Sequence, residues 1–158
     1  MNEQQALLRA QNLCSRSEHC EHDIILLLTR WGMPPSAHPR IIRNLRQHRF
    51  IDDSRYASAF ARDKARFNKW GPLKINAALR AKHIPDDAIR QALESLDHEL
   101  SAQSLSRLLQ HKIKQLRTSD RNLRQQKLLR FALSRGFTLQ QAYSALQSLT
   151  DNSQDMEV

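Results

Sequence analysis

Leu28-Thr29-Arg30-Trp31-Gly32-Met33, Leu79-Arg80-Ala81-Lys82-His83-Ile84 and Ala132-Leu133-Ser134-Arg135-Gly136-Phe137 follow one pattern. In each, a helical apolar stripe runs into a basic residue, a turn residue and a large apolar residue. A second helix-period run comes after every copy. Its apolar pairs are Ile41 and Leu45, then Ile89 and Leu93, then Ala142 and Leu146, spaced by 48 and 53 residues. A period of roughly 50 residues marks a repeat architecture, in which each unit buries its apolar face against its neighbours. Such chains present long surfaces and bind large partners.

Working outward from these stretches, the spacing of apolar residues predicts nine helices in three units, 1–49, 50–98 and 99–150, with a polar, acidic and disordered tail at 151–158. In the first unit Ala6, Leu7, Ala10, Leu13 and Cys14 give a helix over about residues 3–16. Cys20 stands at the N-cap of the second helix, Gly32 ends it, and Pro39 opens the third. In the second unit Asp52 or Asp53 caps a helix whose apolar stripe is Tyr56, Ala57, Phe60, Ala61, the Lys64 stem and Phe67. Trp70-Gly71-Pro72 breaks that helix, Pro72 opens the next, and Pro85 starts the last with Asp86 and Asp87 in its first turn. In the third unit Asp120 caps the middle helix, and Thr138 with Gln141 forms a capping box. No stretch alternates as a strand would. The fold class is all-α.

Units of about 50 residues are near the lower limit for an adequate core, so each is expected to lean on another or on a partner. With 3 Gly and 5 Pro, long flexible linkers are not expected. No apolar run approaches the roughly 20 residues needed to span a bilayer. Residues 1–5 lack the basic and apolar regions of a signal peptide, and two cysteines do not make a disulfide framework. These features point to a cytoplasmic monomer with no membrane partner.

The metal-ligand side chains Cys14, His19, Cys20 and His22 form one cluster, but Cys14 faces an apolar stripe and Cys20 a cap, so no metal is expected. The pairs Asp52/Asp53 and Asp86/Asp87 precede helices, which explains them better than acid/base chemistry. There is no nucleophile elbow, P-loop or dinucleotide fingerprint, and three glycines leave little to cradle a phosphate. The chain reads as a non-enzyme without cofactors.

The formal net charge is +9. A polyanionic partner, nucleic acid or an acidic protein surface, follows from that balance. The charge falls in blocks: five arginines and no acid from Ile24 to Ile51, seven basic residues against Asp63 from Arg62 to Lys82, and nine against Asp120 from Arg107 to Arg135. One block would be an ordinary solvated helix face, whereas three in register with the repeats favour a binding surface. The candidate contacts are Arg62, Lys64, Arg66, Lys69 and Lys74 in the middle unit, and Lys112, Lys114, Arg117, Arg121, Arg124 and Lys127 in the third. Trp70, among the middle cations, either stacks on a base or grips a groove, or else packs between the first two helices of its unit; packing is favoured for Trp70 and binding for the cations around it.

Phe50-Ile51-Asp52-Asp53-Ser54-Arg55-Tyr56-Ala57-Ser58-Ala59-Phe60-Ala61-Arg62, continued by Trp70-Gly71-Pro72-Leu73-Lys74-Ile75, resembles the signature of the RecX family of bacterial recombination regulators. Leu79 to Ile84 closes that unit, and Leu129 to Phe137 resembles the family's third-repeat motif. The resemblance covers about residues 6–149. It implies three tandem three-helix repeats in an elongated, curved rod. It also implies binding to the RecA recombinase filament on single-stranded DNA, in the filament's helical groove. The implied consequence is inhibition of filament extension, ATP hydrolysis, strand exchange and coprotease activity, and so regulation of DNA repair. Direct contact with single- and double-stranded DNA fits the same charge. The sequence departs from the family pattern at His83, where Gly is frequent, at Cys20, where Ser is usual, and in the lengthened turn Met33 to Pro39. His83 is expected to carry its side chain through a left-handed turn. The competing reading is a helix-turn-helix protein acting directly on DNA, since each unit contains short-turn helix pairs. A basic RNA- or ribosome-associated protein fits the charge but not the signature.

Overall fold

The structure, a computed structural model, describes residues 1–156, with side chains described through 151. Among the described residues there are nine α-helices and no strand. The first three-helix set is α1 (Glu3–Arg16), α2 (Glu21–Arg30) and α3 (His38–Gln47), with a 3₁₀ turn at Pro35–Ala37. The second is α4 (Asp53–Phe67), α5 (Pro72–Ala81) and α6 (Asp86–Glu94), and the third is α7 (His98–Gln115), α8 (Arg121–Ser134) and α9 (Leu139–Met156). The tandem repeat read from the sequence is therefore present.

The repeated six-residue stretch is a helix C-terminal motif whose first and last residues are joined by a hydrogen bond. Met33 N–H donates to Leu28 O at 2.9 Å, Ile84 N–H to Leu79 O at 3.2 Å, and Phe137 N–H to Ala132 O at 3.2 Å. The residue before each donor is left-handed: Gly32 at φ 81°, His83 at 58° and Gly136 at 92°. This is a Schellman closure, which satisfies orphan carbonyls and turns the next apolar side chain back onto the helix. Met33, Ile84 and Phe137 are accordingly buried. The same closure ends α3, where Arg49 (φ 57°) is followed by a Phe50 N–H bond to Leu45 O at 2.8 Å. His83 takes the left-handed conformation with its side chain in place, its ring 4.5 Å from that of His22.

The chain divides into two compact units: 1–60 with 78–94, and 61–77 with 95–158. The middle three-helix set is thus not a unit of its own; α4 and α5 each contribute residues to both. In the first unit the core joins Ala6 and Ala10 of α1, Ile24 and Leu28 of α2 and Ile41, Ile42 and Leu45 of α3 with Met33 and Ile51. The lengthened turn at 33–39 is tied down, since buried His38 donates through Nε2 to Met33 O at 3.0 Å and Ala37 is buried. In the second unit Leu105 and Leu109 of α7, Leu128 and Ala132 of α8, and Ala142 and Ala145 of α9 close around Phe137. Burying a side chain of that size stabilises the fold by about 1.5–3 kcal/mol.

Four expectations are corrected. Cys20 sits at the start of α2 but its side chain makes no capping bond. That role falls to Asp53, whose carboxylate accepts from Glu21 N–H at 3.1 Å, while Asp52 caps α4 by accepting from Arg55 N–H at 3.0 Å. Pro85 stands one residue before α6, its carbonyl accepting from Ile89 N–H at 3.1 Å. Phe67 is not part of the buried stripe of α4: it is 70% exposed, because the chain turns left-handed at Lys69 and Trp70, not Phe67, folds back over the last turn. Finally, α9 continues through Met156, so 151–156 are helical where a disordered tail was expected. No Gly or Pro follows Phe137 to stop that helix. Residues 157 and 158 lie outside the described residues.

Candidate nucleic-acid interface

The middle basic block is built around a backbone contact. Two residues past α4 the backbone turns left-handed at Lys69, φ 56°, and Trp70 N–H reaches back to Lys64 O at 3.1 Å. Gly71 then meets the end of α8. A Cβ on Gly71 would lie 2.4 Å from the carbonyl of Gly136 and from Phe137 N, and one on Gly136 would lie 2.3 Å from Lys74 Cβ. Only glycines permit this approach. Gly71 N–H donates to Arg135 O at 2.7 Å and Leu73 N–H to Gly136 O at 2.8 Å. The free carbonyls at the C-terminus of α8 thereby satisfy orphan N–H groups at the N-terminus of α5, where Pro72 has none to offer. The opposite partial charges of the two helix ends add to the attraction. Arg135 also donates through Nη2 to Asn68 O at 2.5 Å.

This frame fixes Lys64, Trp70 and Lys74 together. Lys64 Nζ lies 4.8 Å and Lys74 Nζ 4.7 Å from the Trp70 ring centroid. The ring is half-buried and engaged by cations, in line with a packing role for the tryptophan itself. Arg62 and Arg66 are exposed on α4, and Lys69 occupies the left-handed turn. In the third block Lys112 stands 5.2 Å above the Phe131 ring. Lys114, on α7, and Arg117, in the connection that follows, are exposed; Arg121 and Lys127 are exposed on α8 and Arg124 is half-buried there. The block's one acid, Asp120, is committed to capping α8, accepting from Asn122 N–H at 3.0 Å and Leu123 N–H at 3.2 Å.

All twelve residues singled out from the sequence fall in the second compact unit. That unit has fourteen Lys and Arg against seven Asp and Glu, net +7, whereas the first has eleven against nine, net +2. The ion pairs divide the same way. Among the described residues Arg40–Glu3, Arg46–Glu21, Arg55–Glu18, Arg80–Asp86 and Lys82–Asp23 all belong to the first unit. Two arginines of the first unit's basic block, Arg40 and Arg46, are therefore tied to acids on other helices. In the second unit, Lys64 aside, the cations form no ion pair with a carboxylate among the described residues. Charge counting along the chain could not separate these cases, because the neutralising acids are up to 59 residues away from their partners.

Sequence reasoning also missed Phe67. Its position in an apolar stripe hid the fact that the helix ends there. The signal available was its place two residues before Lys69-Trp70-Gly71, since a turn cannot bury both aromatics.

The cysteines and histidines of the first unit are engaged elsewhere. The His22 ring lies against that of His83 at a 35° tilt, His19 Nδ1 pairs with Ser17 O at 3.0 Å, and burial pushes both thiols up to about 11. Among the described residues no three such side chains converge as a metal site, and no helix is long and apolar enough to cross a membrane.

Residues 52–93 match the family model for the second three-helix domain of RecX. A regulatory protein RecX of Prosthecochloris aestuarii is 31% identical over 147 residues, which cover 93% of this chain and 95% of that protein. The chain spans 37% of the Geobacillus kaustophilus regulatory protein RecX, at 30% identity, and 35% of the Lactobacillus johnsonii protein of that name. Of solved structures, the crystal structure of a regulatory protein RecX matches with a TM-score of 0.84 at 25% identity, covering 92% of this chain and 71% of that one. That of RecX from Lactobacillus salivarius matches the fold with a TM-score of 0.85 at 20% identity, covering 94% and 96%.

Proposed function

The chain belongs to the RecX family of regulatory proteins, and from that premise we propose that it binds the RecA recombinase filament on single-stranded DNA and inhibits that filament. The activities held down are filament extension, ATP hydrolysis, strand exchange and coprotease action, and with them the filament's part in DNA repair. The observation that carries this reading is the second compact unit: net +7, its cations other than Lys64 in no ion pair with a carboxylate among the described residues. Cations held clear of internal acids are available to an external polyanion, and their attraction is long-ranged and screened by salt. The mechanism is occupancy. A bound protein obstructs subunit addition and turnover without any chemistry of its own.

The competing reading is a helix-turn-helix protein that inserts a recognition helix into duplex DNA. The short connection from α5 to α6, residues 82–85, favours it. Two of the three helices that would enter the groove weigh against it. The third helix of the last set, α9, has no Lys or Arg, and α6 has Arg90 alone against Asp86, Asp87 and Glu94.

The test is binding to RecA filaments, bare single strands and duplex at matched salt, together with RecA's DNA-dependent ATP hydrolysis. Binding that is strongest on the filament, with hydrolysis suppressed, is the expected result. Tightest binding to a particular duplex sequence, or ATP hydrolysis by the pure protein, overturns the proposal.

A further inference from the structure

Phe67 is more exposed than any other large apolar side chain among the described residues, at 70% against 59% for Leu100. It stands on the last turn of α4, inside the middle basic block. The Arg66 guanidinium carbon lies 5.3 Å from its ring centroid. Arg62 and Arg66 are one helical turn apart, Lys69 follows two residues after the ring, and Asp63 is the one acid in the segment 61–77. Holding a benzyl group in water costs the fold hydrophobic stabilisation, and Phe67 is not among the residues packed around Phe137 in the described core of the second unit.

We propose that Phe67 is a stacking platform for an unpaired base of single-stranded DNA, with Arg66 and Lys69 contacting the phosphates of the same strand. The chemistry is that of single-strand binding surfaces, which combine cations along a backbone path with an accessible aromatic face. Charge complementarity decides the occupant. A protein groove that took up this ring would face five cations and one acid over seventeen residues, whereas a strand carries one phosphate per base. Duplex DNA supplies the phosphates but keeps its bases stacked on each other, so the ring discriminates single from double strands. Trp70 does not take this role, because its ring is half-buried and contacted by two ammonium groups, those of Lys64 and Lys74, whereas Phe67 is 70% exposed. The inference rests on the proposed function for the choice of DNA as the strand.

The experiment measures the affinity of the full chain for a labelled single-stranded oligonucleotide, a hairpin duplex and RecA filaments across a salt series. The parent, Phe67→Ala, Phe67→Leu, Phe67→Tyr and Arg66→Gln are compared, with thermal melts to check folding. Phe67→Ala should weaken single-strand binding roughly tenfold, the expected scale for one stacked base. Phe67→Leu should lose nearly as much and Phe67→Tyr little. The salt slope of the Phe67 variants and their duplex affinity should match the parent, while Arg66→Gln flattens the slope. Single-strand affinity of Phe67→Ala within twofold of the parent, equal loss on duplex, full rescue by leucine, or a parent that binds no single strand at low salt would each overturn the inference. Loss on the filament alone makes the ring a protein contact, which sinks this inference and leaves the proposed function standing. Ring-dependent single-strand binding by a protein that ignores filaments does the reverse.

Discussion

Asp52 and Asp53 are adjacent and cap different helices. Asp52 caps its own α4, whereas Asp53 reaches α2, thirty-two residues back, and accepts the Glu21 N–H in place of the Cys20 side chain. Burial pushes the Asp53 carboxyl up from the ordinary aspartate value, against the pull of Arg46, and Asp52 and Asp23 add to the rise. The folded chain therefore holds this proton to higher pH than the unfolded chain does. Between the two values the folded state binds more protons, so this group's contribution to stability falls as the pH rises. An asparagine at this position could not ionise and could still accept the Glu21 N–H. Urea melts of Asp53→Asn and the parent from about pH 3 to pH 7 should show the difference moving in the variant's favour as pH rises through that window, then levelling off. A difference that moves the other way would mean that Arg46, rather than burial, governs the group. The glycines divide as sharply. A Cβ on Gly32 meets nothing within 4 Å, so Gly32→Ala faces only the left-handed backbone, at about 1 kcal/mol. Gly71→Ala and Gly136→Ala must push two backbones apart and should each cost about 3 kcal/mol in chemical denaturation. Equal costs at all three positions would refute the close contact.

At the scale of the elements, the C-terminal closure made the helices legible. A left-handed residue followed by a large apolar one is a local signal, written within six residues, and so it survived in Leu28–Met33, Leu79–Ile84 and Ala132–Phe137. The capping box at Thr138 and Gln141 is equally local, and both of its bonds are present, at 2.9 and 3.1 Å. What was not legible depends on distant partners. Asp53 capping α2, the Gly71–Gly136 contact and the Arg46–Glu21 ion pair of the first unit each join residues far apart in the chain. The candidate site was half legible for the same reason: the cations were countable, but the pairing of several of them with distant acids in the first unit was not. The end of α4 shows the limit within one helix, where periodicity placed Phe67 inward and the Lys69 turn left it in solvent. At α8 the cap and the charge of one residue can be separated. Asp120→Asn keeps an oxygen for the Asn122 and Leu123 N–H groups and removes the one acid of the third block. Melting should shift by less than about 0.5 kcal/mol, since asparagine caps as well as aspartate does. Affinity for single-stranded DNA should rise. Unchanged affinity would argue that the strand passes elsewhere.

Over the whole chain the distribution of charge separates two kinds of surface. In the first unit five of the eleven arginines and lysines are paired with carboxylates from elsewhere in the unit, pairs that are mostly exposed and individually worth roughly 0–1 kcal/mol. In the second unit net charge accumulates on cations that, Lys64 aside, lack such pairs among the described residues. Charge of one sign destabilises a folded unit unless a partner uses it. Neutralising the middle block, with Arg62, Lys64, Arg66, Lys69 and Lys74 changed to Gln, tests that use. So does a second variant with Lys112, Lys114, Arg117, Arg121, Arg124 and Lys127 changed to Gln. Each should keep its helical content, because these side chains are exposed or half-buried and none caps a helix. Each should weaken filament binding. Every lost phosphate contact should also lower the dependence of log affinity on log salt, by about 0.9 on duplex and about 0.7 on single strands. The blocks need not behave alike. If the third block meets DNA and the middle block meets mainly RecA, only the third-block variant flattens the slope on bare strand. The stacking platform at Phe67 makes the opposite demand, placing Arg66 and Lys69 on the strand, so the middle-block variant should lose slope there as well. Affinity against salt for both variants, on filament and on bare strand, separates the two assignments. Parental affinity on the filament in both would reduce the cations to solvated helix faces.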